Sequence, residues 1–166
     1  AMLLSAKLPL PNQIFVHGYL TFGGQKMSKT IGNVIDPFEL VKEYGTDPVR
    51  YFLLREIPST EDGDFTYEKF EGRYNADLAS GLGNLVARVI TMAKNSKSQI
   101  PNSKQIPNPK FQIIIKKTQE DYRKALVEFK FNEALIVVWD LISFCDKYIE
   151  KKRPWETKDE KVINDL

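Results

Sequence analysis

The sequence has 166 residues, 42% of them hydrophobic, with 24 basic and 22 acidic side chains and a formal net charge of +2. That length can bury the core of one domain or of two small ones, and so mild a charge neither demands nor excludes a nucleic-acid partner. No run reaches the ~18 apolar residues of a membrane span, and a lone cysteine, Cys145, excludes an intramolecular disulfide framework and any multi-cysteine zinc site, as fits a reducing cytosol.

The opening AMLLSAKLPLP lacks the basic n-region and small-residue cleavage site of a signal peptide. Ala1 to Ala6 reads as the interior or end of a helix with no cap before it. NQIFVHGYLTF alternates and is rich in aromatic and β-branched residues, which predicts a strand over Gln13 to Phe22, paired beyond a turn at Gly23-Gly24. His17, the single histidine, falls in this strand and alone makes neither a metal site nor a triad.

FGGQKMSKTIGN follows as loop. Next, NVIDPFELVKEYG carries helix punctuation: Asp36 as N-cap, Pro37 at the first helical position, Glu39 at N3 and Gly45 at the end. TDPVRYFLLRE repeats it, with Asp47 as cap, Pro48 at the start and a helix to about Glu56. Asp47 and Arg50 suit a cap and a local ion pair better than a surface for a partner. IPSTEDGDFT reads as acidic loop.

From Thr66 the character changes. Leu78, Leu82, Leu85, Val89 and Met92 form one apolar stripe on a long helix, Tyr67 to Asn95. NSKSQIPNSKQIPNPK is loop. Phe111, Ile115, Thr118, Tyr122, Ala125 and Phe129 mark a second long helix. Asn132 can cap a third, striped by Leu135, Val138, Ile142, Cys145 and Ile149 and ending near Arg153; Trp139 and Cys145 read as core. Long amphipathic helices joined by loops predict a mainly α fold, an antiparallel helical bundle. The uncapped start, and a helical pattern cut short at Leu166, read as a piece of a longer protein.

The chemistry lies first in the loop. Gly23, Gly24 and Gly32 permit positive φ and close approach. Lys26 and Lys29 can converge on a polyanion, with Ser28 and Thr30 as hydroxyl donors, and such lysines offset charge on transferring phosphates. The Gly-x-x-x-x-Gly-Lys-Ser/Thr spacing of a P-loop is absent. Residue chemistry alone favours a solvated basic loop closing a hairpin.

KMSKT followed by IGN resembles the Lys-Met-Ser-Lys-Ser signature of class I aminoacyl-tRNA synthetases, with Thr30 for the last serine. The flanks, with YGTDPVRYFLLRE and EDGDF, resemble the methionyl-tRNA synthetase family, and the resemblance weakens from about Asn95 to Lys130. It implies a layout of three parts: residues 1–35 as the end of a Rossmann-type nucleotide-binding catalytic domain, 36–64 as a two-helix connector, and 65–166 as an anticodon-binding helical bundle truncated at its C-terminus. It further implies activation of methionine by ATP, with Mg²⁺, to methionyl-adenylate, and transfer to tRNA(Met) in the cytoplasm. Lys29 would stabilise the pyrophosphate leaving group, with Lys26 as helper and Met27, Ser28 and Thr30 at the nucleotide.

NADLASGLGNLVARV resembles the first helix of the family's anticodon-binding bundle, which places Asn84 and Arg88 as base readers. Residues four apart share one side of a helix. YIEKKRPWE resembles the segment that gives a third reader, Trp155, stacking on a splayed base, with Lys151, Lys152 and Arg153 adding backbone attraction. Asp146 departs from the family's usual asparagine, which leaves its role open. The family's His-Ile-Gly-His signature and zinc knuckle do not occur in the sequence, so the chain alone is expected to make no adenylate and to hold no zinc. Two rival readings are a stand-alone tRNA-binding module acting in trans and a synthetase for another class I amino acid.

Overall fold

The structure is a computed structural model that describes residues 1–95 and 109–153. It is mainly helical, with a small three-stranded sheet. In chain order the elements are α1 (Met2–Ser5), β1 (Leu20–Phe22), β2 (Gln25–Lys26), α2 (Pro37–Tyr44), α3 (Thr46–Glu56), β3 (Gly63–Phe65), α4 (Tyr67–Arg73), a π-helical stretch (Tyr74–Gly83), α5 (Asn84–Asn95), α6 (Pro109–Val127) and α7 (Phe131–Lys152).

The sheet runs β2-β1-β3. β1 pairs antiparallel with β2 and parallel with β3, with Thr21 opposite Asp64 and Phe22 opposite Phe65. Gly23 and Gly24, both at positive φ (58° and 76°), make the two-residue turn of this hairpin, a conformation that side-chain-bearing residues resist. The expected strand over Gln13–Phe22 is much shorter: only Leu20–Phe22 pairs, and Ile14 and Val16 lie exposed. Conversely β3 emerges from a segment read as loop. Its turn-rich composition hides a strand that exists through pairing with β1, a case of tertiary context overriding propensity.

Asp36 caps α2 by accepting from the Phe38 N–H at 2.8 Å, and Gly45 at φ 88° ends it. α3 starts two residues earlier than its Asp47-Pro48 punctuation predicts. Its N-cap is Gly45 and Asp47 lies within the first turn, so Asp47 is not the cap; among the described residues no ion pair joins it to Arg50. These helices, β3 and α4 enclose the tightest core, made by Leu40, Val49, Phe52, Phe65 and Phe70. Phe52 packs edge-on to Phe65 and Phe70 at 5.2 and 5.4 Å, a geometry that aromatic quadrupoles favour.

Tyr67 to Asn95 is one continuous helical run, as its stripe predicts, but ten residues in its middle have π geometry. Two glycines allow it. A Cβ on Gly81 would lie 3.2 Å from the Ala76 carbonyl oxygen, and one on Gly83 would lie 3.1 Å from that of Leu78, in each case five residues back. That is the i−5 carbonyl to which a π turn bonds. The wider turn shifts the stripe, leaving Leu78 and Leu85 half-buried and Leu82 exposed.

Two boundaries of the later helices also move. α6 ends at Val127, and Phe129 lies beyond it at φ 58°, where the Lys130 N–H reaches the Ala125 carbonyl and the Phe129 N–H that of Leu126. This is a Schellman ending with phenylalanine where glycine is usual; the ring leans on Phe15 at 4.9 Å. α7 then starts at Phe131 with Lys130 as N-cap, so Asn132 is inside the helix rather than its cap. α7 packs on α6 and α3, and less extensively on α5. Trp139 lies half-buried against Tyr51, 5.4 Å between ring centres, and Cys145 is half-buried, which pushes its thiol pKa up and keeps it unreactive.

A polar joint ties α3 to the long helical run. The Tyr51 hydroxyl donates to Asp77 at 2.6 Å, Arg73 Nη1 approaches the same carboxylate at 3.5 Å, and Arg73 Nε donates to Glu56 at 2.7 Å. Burial first, then Asp77, raises the Tyr51 phenol above its ordinary value of 10.

Candidate functional site

The loop after the hairpin is shaped by its own backbone. The Ile31 and Gly32 N–H groups both reach the Ser28 carbonyl, at 3.2 and 3.0 Å, and Gly32 takes φ 75°. Asn33 closes the ring: its Oδ1 accepts from the Ser28 N–H at 2.7 Å and its Nδ2 donates to the Lys26 carbonyl at 3.2 Å. Met27 and Ser28 are half-buried in this fold-back, while Lys26, Lys29 and Thr30 are exposed. Asn33's task rests on contacts that the sequence does not show; its place in the trailing Ile-Gly-Asn is the hint to it. Two exposed ammonium groups on a backbone ring pinned by an asparagine can receive phosphate oxygens.

The base of the loop is held from the sheet. Asp64 Oδ1 accepts from the Gly24 N–H at 2.6 Å and from the Thr21 hydroxyl at 2.9 Å, and its Oδ2 pairs with Lys69 Nζ at 2.9 Å. The Gly24 N–H, then Lys69 and Thr21, pull this carboxyl down to about 2, because each favours the ionised form.

The second group of predicted residues sits on α5. Asn84 is its first residue, exposed just after the π stretch. Arg88 lies one turn on, and its Nη1 makes an ion pair with Asp146 Oδ1 of α7 at 2.6 Å. The carboxylate whose role was open from sequence therefore faces the predicted base reader directly. Trp155 lies outside the described residues. So the fold gathers Lys26, Met27, Ser28, Lys29 and Thr30 in one loop and Asn84 with Arg88 on one helix.

No helix among the described residues is long and apolar enough to cross a membrane. Among them no group of three or more His, Cys, Asp or Glu side chains is placed to hold a metal ion.

Comparison with known proteins gives a consistent relationship. A family model described as tRNA synthetases class I (M) matches residues 1–90. Proteins named methionine–tRNA ligase are similar over most of the chain: one from Clostridium acetobutylicum is 46% identical over 161 residues, 93% of this chain and 24% of its own. One from Brucella suis is 42% identical over 158 residues, 93% of this chain and 31% of its own. Among solved structures, Mycobacterium tuberculosis methionyl-tRNA synthetase in complex with methionyl-adenylate superposes with a TM-score of 0.82 at 35% identity, covering 98% of this chain and 33% of that one. The free form of the same enzyme gives 0.77 at 32% identity, covering 98% of this chain and 32% of that one. The chain thus spans about a quarter to a third of the length of these relatives. It belongs to the class I tRNA synthetases, and within them to the methionyl type.

Proposed function

We propose that this chain is the part of a methionyl-tRNA synthetase that joins the nucleotide loop to the anticodon-reading helices. The complete enzyme would activate methionine with ATP and transfer it to tRNA(Met). In this reading residues 1–35 close the catalytic domain, 36–64 connect, and 65–166 form the anticodon-binding helical bundle. The observation that carries the reading is the pinned loop of Lys26–Asn33, with both lysines presented to solvent and the backbone ring closed by Asn33.

The loop's chemistry follows from its donors. Lys29 would meet charge developing on the departing pyrophosphate, and Lys26 would hold the triphosphate tail. Met27, Ser28 and Thr30 would shape the contact with the nucleotide. Groups aimed at developing charge lower a barrier more than groups that bind the ground state. The loop offers ammonium and hydroxyl groups rather than carboxylates, which suits phosphate; Mg²⁺ would arrive with the ATP it accompanies.

On α5, Asn84 would hydrogen-bond an anticodon base edge and Arg88 would stack on a base or pair with a phosphate. Trp155, outside the described residues, would supply a stacking platform worth ~1–3 kcal/mol per base.

The test is binding of this chain to initiator tRNA carrying a CAU anticodon, against the same tRNA with its first anticodon base changed, at two salt concentrations. Preference for CAU that disappears in Trp155→Ala and Asn84→Ala is the expected result. Weak, salt-sensitive binding with no anticodon preference would overturn the assignment of the readers. The loop is tested by Lys29→Ala in a synthetase of full family length carrying this segment. ATP–pyrophosphate exchange should fall roughly 10²–10³-fold.

A further inference from the structure

We propose that Asp64 is the positioning residue of the nucleotide loop: it clamps the loop's base to the first turn of α4, so that the long helical run and the loop share one anchor. The inference rests on the reading of the loop as a phosphate-binding element.

Strand alternation puts Asp64 in this place. Neighbours along a strand face opposite sides. Phe65 enters the aromatic core at 2% exposure, so Asp64 faces the other side, the side of the hairpin turn. The parallel register sets Thr21 opposite Asp64, and the Gly23-Gly24 turn brings the Gly24 N–H down onto the same oxygen. The Thr21 hydroxyl also lies 3.2 Å from the Gly63 carbonyl, but its shorter contact, 2.9 Å, is with the charged acceptor, Asp64. A carboxylate is the stronger acceptor, so the proton goes there.

The α4 end of the clamp has its own signature. Thr66 caps α4 by accepting from the Lys69 N–H at 3.1 Å. Lys69 is thus a cation in the first turn, where the helix dipole disfavours it. Its side chain crosses to Asp64 Oδ2 instead. Main chain and side chain of Lys69 are therefore both fixed, one by the cap and one by the clamp. An ordinary exposed ion pair holds little, but this carboxylate joins three donors from three elements: β1, the turn and α4. The Gly23 N–H, bonded to the Phe65 carbonyl at 3.2 Å, ties the same turn to β3 through backbone alone.

The role predicts an effect that passes beyond the contact itself. Lys26 begins the ring that Asn33 closes, and β2, which contains Lys26, is positioned by the turn that Asp64 holds. Amide hydrogen exchange of the 166-residue chain reads this directly. Asp64→Ala should speed exchange at Gly24 and also at Ser28, whose own partner is Asn33, by roughly 10-fold or more, the loss of one charge-assisted bond read as local opening. Asp64→Asn keeps one acceptor oxygen and should restore part of the Gly24 protection. Lys69→Met, the milder variant, should loosen the loop less. Phe65→Leu serves as control: it weakens the same strand without touching the carboxylate and should not single out Ser28. Unchanged Ser28 exchange in Asp64→Ala, or an equal change in Phe65→Leu, overturns the clamp.

A second readout separates the clamp from the nucleotide reading. In a synthetase of full family length carrying this segment, Asp64→Ala should lower kcat for ATP–pyrophosphate exchange by a larger factor than it raises KM for ATP, because the displaced ring carries Lys29, which acts in the transition state, as well as Lys26, which holds the bound triphosphate. A rise in KM with kcat held would overturn positioning as the mechanism. If Ser28 exchange responds but Lys29→Ala leaves pyrophosphate exchange intact, the phosphate reading falls and the mechanical clamp stands.

Discussion

The chain holds its apolar side chains in two different ways. Around α3, five residues from α2, α3, β3 and α4 are buried to 6% exposure or less, three of them phenylalanines. Along α5, Val86, Val89 and Ile90 remain 45–47% exposed, and on α6 Ile113 is 69% exposed. The core around α3 is enclosed from several directions by elements close in sequence, whereas among the described residues α7 packs less extensively on α5 than on α6 or α3. The difference teaches that stability is concentrated around α3, in the region that also anchors the loop. The long helices open at lower cost.

The comparison can be broken most directly with a pair of truncations. Phe52→Ala empties the middle of the aromatic core and should cost ~3–5 kcal/mol. Val89→Ala removes two methyls from a half-exposed site and should cost about 1 kcal/mol or less. Urea midpoints of the two variants give the answer. Equal losses would mean that the helical stripe is as well packed as the aromatic core.

Next in size is the joint between the regions. Tyr51→Phe deletes the hydroxyl that donates to Asp77 and should cost ~1.5–3 kcal/mol, the range for a hydrogen bond to a charged group. The same contact makes an alkaline prediction. The folded phenol holds its proton more tightly than the unfolded one. Its contribution is therefore whole below the unfolded value of about 10 and drains as pH rises above it. A phenolate absorbance titration should find two of the seven tyrosines lagging, Tyr51 and, by less, Tyr44, and Tyr51→Phe should remove the later of the two. A chain in which all tyrosines titrate together would place the joint in water.

The acid side sharpens the contrast at the loop. Asp64 in the fold has its carboxyl pulled from 3.8 to about 2. A lowered carboxyl contributes above its unfolded value and loses that contribution as pH falls through the folded one. The clamp should hold at pH 4 and release toward pH 2, seen as a Gly24 amide shift with its midpoint near 2. A midpoint near 3.8 would mean that the three donors do not act on Asp64 in solution.

These residues also mark how far the sequence could be read. Local grammar was legible where partners are neighbours: Asp36, Pro37 and Gly45 set α2, Gly23-Gly24 set the hairpin, and KMSKT marked the loop. Long-range partners were not. Asp64 meets Gly24 across 40 positions, and Arg88 meets Asp146 across 58. β3 exists through such pairing, and it hid inside an acidic loop. The π stretch was hidden for another reason, since the apolar spacing of Leu78, Leu82 and Leu85 suits an α-helix and only Gly81 and Gly83 hint at a wider turn. Phe129 continued the stripe of α6 in sequence yet lies past its end, because the Schellman turn takes it.

The smallest expected effect concerns the ion pair that joins Arg88 of α5 to Asp146 of α7. Arg88 and Asp146 are each about a third exposed on their side chains, and exposed pairs contribute ~0–1 kcal/mol. Asp146→Asn should therefore barely move the urea midpoint, whichever region dominates stability. On the proposed reading of α5 as a tRNA-binding helix, its effect belongs in binding. A carboxylate 2.6 Å from Arg88 competes with any phosphate for the guanidinium and repels that phosphate as well. Asparagine keeps an acceptor oxygen and drops the charge. Affinity for tRNA at low salt should rise, and the slope of log K against log salt should steepen by ~0.7, one more phosphate neutralised on a single strand. An unchanged slope with a lowered urea midpoint would make the pair a structural tie between the helices, and would show α7 holding α5 more firmly than its exposed stripe implies.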